Sequence, residues 1–186
     1  MSAGFRDDLD ADTLAALRQG CPAALARVYD AWAGVVYALA LRVLGQREAA
    51  EDLVQDLFLR LPRASGRFRG EAPFGAWLRR LAANATVDRL RERRRLLPLD
   101  EARAELAGRA GDDAARVDAD VLLRRLSPSA RLVLLLHAVE GWTHEELAVL
   151  FGQSPSWSKS LLSRALRRLR SGLPATEVAD GLADSH

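Results

Sequence analysis

The chain has 186 residues, enough for one domain or two small ones. Hydrophobic residues make up 49% and aromatics 6%, and the abundance of Ala, Leu and Arg suits small helical cores better than a large sheet. The net charge of +2 excludes a uniformly basic protein, and the single cysteine, Cys21, excludes an internal disulfide and a cysteine-based zinc site.

The opening MSAGFRDDLD is acidic where a signal peptide would be basic and then apolar. Residues 1–12 are read as polar and loose. No run is expected to reach the length of a membrane span, so a cytosolic protein is expected. A short helix begins near Thr13, turns at Gly20 and Pro22, and gives way to a longer helix through Trp32, Val36, Leu39 and Val43 that stops at Gly45.

The next unit, QREAAEDLVQDLFLRLPR over 46–63, has Ala50, Leu53, Val54, Leu57, Phe58 and Leu61 as a broad apolar stripe. The opposite side carries Glu48, Glu51, Asp52, Gln55 and Asp56. Such a face is ordinarily just solvated, and its functional alternative is a docking surface for a basic partner helix. The loop ASGRFRGEAP then mixes Arg67 and Arg69 with Phe68, an arrangement suited to stacking and phosphate contact on a single strand.

A helix from Phe74 to about Arg95 follows, apolar at Phe74, Trp77, Leu78, Leu81, Ala85 and Leu90 and basic around them. The block Arg60–Arg95 holds 11 basic against 3 acidic residues. Arginines so dense repel one another unless phosphate or acid meets them. Residues 96–119, acidic and broken by Pro98, Gly108 and Gly111, read as a linker.

Helical pattern resumes near Asp120. Ser127 and Pro128 open a helix, ARLVLLLHAVE, that stops at Gly141. Thr143 with Glu146 has the capping-box spacing, and Gly152 can take the left-handed conformation that ends a short helix. Ser154 and Pro155 start another at once, with Leu162, Leu166 and Leu169 along its apolar side and Lys159, Arg164, Arg167, Arg168 and Arg170 over the rest. This is a helix-turn-helix with a basic second helix, the shape that enters a DNA major groove. Residues 174–186 form an acidic tail.

Over roughly Ala24–Leu173 the chain resembles the extracytoplasmic-function sigma factors, the two-domain branch of the sigma-70 family of bacterial transcription initiation factors. VYDAWAGVVYALALRVLGQREAAEDLVQDLFLRL is similar to the first conserved stretch of that family, RFRGEAPFGAWLRRLAANATVDRLRERRR to its promoter-melting stretch, and LSPSARLVLLLHAVEGWTHEELAVLFGQSPSWSKSLLSRALRRLR to its C-terminal domain. The resemblance implies an all-α protein: an N-terminal segment 1–23, a region 2 bundle over 24–95, the flexible acidic linker 96–119, a region 4 helix-turn-helix over 120–173, and the tail 174–186.

It also implies roles. Asp52, Gln55 and Asp56 would dock on a coiled coil of the clamp of core RNA polymerase. Phe68, Arg69, Arg80 and Asn84, with Arg89 and Arg91 on the adjacent backbone, would capture the melted minus-10 promoter element, where unstacking a base costs a few kcal/mol that stacking and phosphate contacts offset. Thr143, Ser156, Trp157, Lys159, Ser160 and Arg164 would read the duplex minus-35 element. The family commonly has a Thr-Val pair where this chain has Trp157-Ser158, and basic or His residues where it has Leu161 and Ser163. The implied partners are core RNA polymerase, promoter DNA and an anti-sigma factor, which would hold the protein in the cytoplasm or at the inner membrane face. No cofactor, metal or small-molecule substrate is implied.

Two other function classes compete. A helix-turn-helix regulator acting without polymerase explains 143–170 but leaves the acidic face and the stretch Phe68–Arg95 unused. A metal-dependent nuclease could draw on Glu48, Glu51, Asp52 and Asp56. Against it, His137 sits in an apolar run, His144 opens a helix, His186 lies in the tail, and there is no phosphate-cradling Gly-rich loop.

Overall fold

The computed structural model describes residues 4–96 and 119–171. The expected linker and acidic tail lie almost wholly outside the described residues. Among the described residues all regular structure is helical. The chain forms two compact units, Met1–Arg91 and Glu92–His186.

The first unit is built from α1 (Ala11–Arg18), α2 (Pro22–Leu44), α3 (Arg47–Ser65) and α4 (Phe74–Leu96). Local chemistry sets the ends of α2. Pro22 stands in its first turn, and Gly45 closes it in the left-handed conformation at φ 71°. By length and composition alone α2 is long and apolar enough to cross a membrane, contrary to the expectation from sequence. It serves as a core helix: α1 and α3 pack on it, and Val28, Trp32, Val36, Leu39 and Val43 are buried.

Residues 4–12 are not loose. Phe5 is buried, and the Gly4 carbonyl accepts a hydrogen bond from Trp32 Nε1 at 3.1 Å. Asp8 Oδ1 accepts from the Phe74 amide at 2.8 Å, which caps the start of α4, and the Gly75 amide donates to the Asp7 carbonyl at 2.9 Å. The approach is close enough that a Cβ at position 75 would lie 2.7 Å from that same carbonyl oxygen, so only glycine fits there. Residues 4–8 thus seat the first turn of α4.

The core of this unit centres on Phe74, fully buried, with ring centroids 5.5 Å from Trp32, 5.5 Å from Phe68 and 5.3 Å from Trp77. Arg18 fixes the end of α3 and the loop beyond it: Nε donates to the Ser65 carbonyl at 3.2 Å and an Nη to the Phe68 carbonyl at 2.7 Å.

The second unit contains α5 (Ala119–Arg124), α6 (Pro128–Leu134), a π-helical turn Leu135–Val139, α7 (His144–Phe151) and α8 (Pro155–Arg170). Its starts and stops are those the sequence implies. Ser127 caps α6, Thr143 and Glu146 form a complete capping box, Gly152 ends α7 at φ 64°, and Ser154 caps α8. One expectation fails. The inward side of α8 is Ser158, Leu161, Ala165 and Leu169, so of the expected Leu162, Leu166 and Leu169 only Leu169 belongs to it. Ala165 is buried with Leu126 and Ala130, Leu161 and Leu169 pack against that cluster, and Leu166 is exposed. The small Ala165 lets α8 approach closely where a leucine would hold it off.

Candidate nucleic-acid interface

Three exposed surfaces carry the residues in question. On α3 the core stripe turns Leu53, Val54, Leu57, Phe58 and Leu61 inward, which leaves Asp52 and Gln55 exposed and Asp56 half-buried. Leu59 lies four residues beyond Gln55 and seven beyond Asp52, so it shares their side of the helix, and it is 68% exposed. The expected docking set does not include it. Its spacing, off the core stripe and on the acidic face, is the signal that could have found it. Alongside runs a groove of about 820 Å³ whose lining includes Tyr29, Ala33 and Tyr37 of α2 and Phe58 and Leu59 of α3. The face therefore combines carboxylates with an apolar seat.

On α4 the structure separates residues that the sequence reading grouped together. Arg80, Asn84 and Arg91 recur at helical spacing with Asp88 and are all exposed, and Arg91 reaches Asp88 Oδ1 at 3.2 Å. Arg89 points elsewhere. It is half-buried and bonded to Asp56 of α3. Phe68 is a correction. Its side chain is only 8% exposed, and its ring packs 5.4 Å from Trp77, so it is a core residue, not an exposed platform, because the loop folds back over the first turn of α4. Arg67 and Arg69 beside it are exposed, with Arg69 3.9 Å from Glu71. Trp77, half-buried beside Phe68 and Phe74, keeps the aromatic edge nearest the surface.

On α8 the residues Ser156, Lys159, Ser160, Ser163 and Arg164 are exposed. Four of them, 156, 159, 160 and 163, fall on one side, which presents short side chains around a single lysine. Arg164 folds back to donate to the Ser160 carbonyl at 3.2 Å. Trp157 is half-buried and braces the turn, its ring 5.0 Å from Phe151. Thr143 is exposed, but its hydroxyl accepts from the Glu146 amide at 3.1 Å and is committed to the cap.

Beneath α8 lies a contact that sequence gives no hint of. His137 and His144 stack with centroids 4.5 Å apart. His137 Nδ1 lies 2.7 Å from the Trp142 carbonyl, which can only accept, so that nitrogen carries the proton. His144 Nδ1 lies 3.0 Å from Oγ of the buried Ser158, tying the first helix of the motif to the second. Burial above all, then the neighbouring His137 and Lys159, lowers the His144 pKa against the opposing pull of Glu145. Its place at the positive end of α7 acts the same way. A histidine whose pKa is lower folded than unfolded contributes stability that is present above its unfolded value and is lost as pH falls through the folded one. Acidification below about pH 6.5 is therefore expected to loosen the helix-turn-helix, and His144→Asn to flatten that dependence, as measured by thermal unfolding of the full chain between neutral and mildly acidic pH. An unchanged slope in the variant would remove His144 from the account.

Comparison with known proteins decides what these surfaces belong to. Residues 28–96 match the Sigma-70 region 2 family and residues 116–169 the Sigma-70, region 4 family. The chain is 33% identical to the RNA polymerase sigma factor CarQ of Myxococcus xanthus over 169 residues, covering 87% of this chain and 95% of CarQ. The chain belongs to the extracytoplasmic-function sigma factors. The ECF RNA polymerase sigma factor SigM of Mycobacterium tuberculosis is 28% identical, with 89% of this chain and 85% of SigM covered. BldN of Streptomyces coelicolor is 31% identical, and there the chain spans 81% of its own length but only 61% of the relative's. A solved sigma factor, RpoE of Bartonella quintana in complex with the anti-sigma factor NepR, shares the fold at TM-score 0.53 and 24% identity over 75% of this chain and 89% of RpoE. In a sigma factor the first unit is region 2 and the second region 4. Sigma factors bind core RNA polymerase and promoter DNA.

Proposed function

We propose that this sigma factor docks on core RNA polymerase through Asp52, Gln55 and Asp56 of α3, with Leu59 and the adjoining groove as the apolar part of the seat. The carrying observation is the juxtaposition within region 2 of that acidic face and the exposed stripe Arg80, Asn84 and Arg91 of α4. An acidic surface repels DNA and suits a basic protein helix, whereas the stripe suits phosphate and an unstacked base. Arg69 joins the stripe from the loop, and Phe68 acts by holding that loop on Phe74 and Trp77. Region 4 supplies duplex contact through Ser156, Lys159, Ser160 and Arg164, with Trp157 setting the angle of α8 on α7 and Thr143 fixing the start of α7.

The protein carries out no chemistry of its own on this reading. It brings promoter specificity and strand capture to the polymerase in the cytoplasm, and an anti-sigma factor holds it inactive until a signal releases it. Run-off transcription with bacterial core polymerase on a library of promoter fragments is expected to yield protein-dependent RNA starts that share two spaced upstream motifs. In the same assay Lys159→Ala with Arg164→Ala is expected to lower use of promoters that depend on the upstream motif by about 10-fold or more, since each charged contact is worth roughly 1–3 kcal/mol, and to leave the downstream motif in force. No protein-dependent starts, together with no binding to core polymerase, would overturn the reading.

A further inference from the structure

We infer that Arg18 of α1 is a positioning residue for strand capture, holding the loop between α3 and α4 in the shape that receives the minus-10 strand; the inference rests on the role proposed for that loop. Residues 4–18 precede the stretch 28–96 that matches region 2, yet they grip the loop at both ends. At its start, Nε of Arg18 donates to the Ser65 carbonyl at 3.2 Å and an Nη to the Phe68 carbonyl at 2.7 Å. At its end, Asp8 Oδ1 accepts from the Phe74 amide at 2.8 Å. Between these points stand the exposed Arg67 and Arg69, and Gly70 in the left-handed conformation at φ 74°.

The fork of the guanidinium explains why an arginine does this. Two of its nitrogens fix the carbonyls of Ser65 and Phe68 in one geometry, which a single ammonium cannot reproduce. The Ser65 carbonyl also accepts from the Phe68 amide at 3.1 Å, so the turn closes around the same oxygen that Arg18 holds. The fork stands on a firm base: Asp10 caps α1, accepting from the Thr13 amide and hydroxyl at 2.8 Å each, and Thr13 and Leu17 are buried. Without the fork, the Phe68 ring keeps its seat on Phe74 and Trp77, but the backbone that carries Arg67 and Arg69 is free to take other conformations. Only a fraction of the molecules then have the loop ready, and the apparent affinity for a strand that uses it falls by that fraction. A strand held by the α4 stripe alone loses nothing.

The test uses holoenzyme assembled from the full chain and core polymerase, with a labelled single strand carrying the downstream motif shared by its RNA starts. Binding is read by fluorescence anisotropy across salt concentrations, beside a strand of scrambled sequence. Arg18→Met is expected to weaken binding of the motif strand about 10-fold, the equivalent of one hydrogen bond to a charged group, and to leave the scrambled strand and the log-log salt slope unchanged. Arg18→Lys, which keeps the charge but replaces only one of the two bonds, is expected to fall in between. Circular dichroism shows whether each variant is folded, and the lysine variant carries the test if the methionine one is not. Equal affinity of Arg18→Met and the unaltered protein for the motif strand would overturn the inference. So would a slope shallower by about 0.7, the value of one phosphate contact on a single strand, or full recovery with lysine, since either makes Arg18 a direct cation for the strand. Arg69→Ala separates the inference from the reading it rests on. If that variant weakens the motif strand and Arg18→Met does not, only the positioning role is lost; if neither does, the loop loses its assignment to the minus-10 element.

Discussion

Asp52→Arg combined with Asp56→Arg is expected to abolish measurable binding to core RNA polymerase while region 2 stays helical. Asp52 is exposed and Asp56 half-buried on the outer side of α3, so neither substitution enters the core, and arginine is a good helix former. The effect on docking is large because each reversal replaces an attraction by a repulsion. Loss of one close charge partner at an interface costs about 2–5 kcal/mol, so two reversals weaken binding by a factor on the order of 1,000 or more. Affinity is measured with labelled protein titrated by core polymerase, and helicity by circular dichroism. Unchanged affinity would remove α3 as the docking face. Because Arg60 and Arg89 flank position 56, the second reversal also drives these arginines apart from it.

Phe74→Ala should be the most damaging single truncation in region 2. The ring is fully buried and meets Trp32, Phe68 and Trp77, so its removal leaves a cavity that three other rings cannot fill. Such a change costs about 3–5 kcal/mol, a large share of the roughly 5–15 kcal/mol available to a small domain. In a urea titration the midpoint for region 2 is expected to fall sharply with little change in slope. Phe68 would lose its seat as well, so minus-10 capture should fall even at temperatures where the variant remains folded. A loss below about 1 kcal/mol would mean that the aromatic cluster does not anchor the loop.

Much of this molecule could be read before its structure was known, and the boundary of what could be read is physical. Helix ends are local events. Thr143 with Glu146, Gly152, Ser154 with Pro155, and Gly45 each act within a turn or two, so residue type and spacing announce them. The acidic side of α3 is equally legible, since one broad apolar stripe leaves no choice of inward face. On α8 there is a choice. Ser158, Leu161, Ala165 and Leu169 recur at three- and four-residue spacing just as Leu162, Leu166 and Leu169 do, and only the partners Leu126 and Ala130 decide between them.

Phe68 shows a second limit. An aromatic ring between two arginines reads the same whether it is a stacking platform or a core side chain, and the difference lies in Phe74 and Trp77. Asp56 and Arg89 stand 33 residues apart, and His144 and Ser158 meet across a turn. Neither pairing leaves a trace in local pattern. The N-terminal segment is the extreme case, because its ties to Trp32 and Gly75 run through its own backbone carbonyls, and a carbonyl has no letter in the sequence.

That segment bears on how the protein is made. The bond from the Phe74 amide to Asp8 closes across 66 residues, and its acceptor leaves the ribosome long before its donor does. Region 2 cannot complete its core until the start of α4 has emerged, however early α1 and α2 coil. At about 5–20 residues per second the nascent chain spends several seconds with Trp32 and the apolar side of α2 uncovered, the interval in which a chaperone has most to hold.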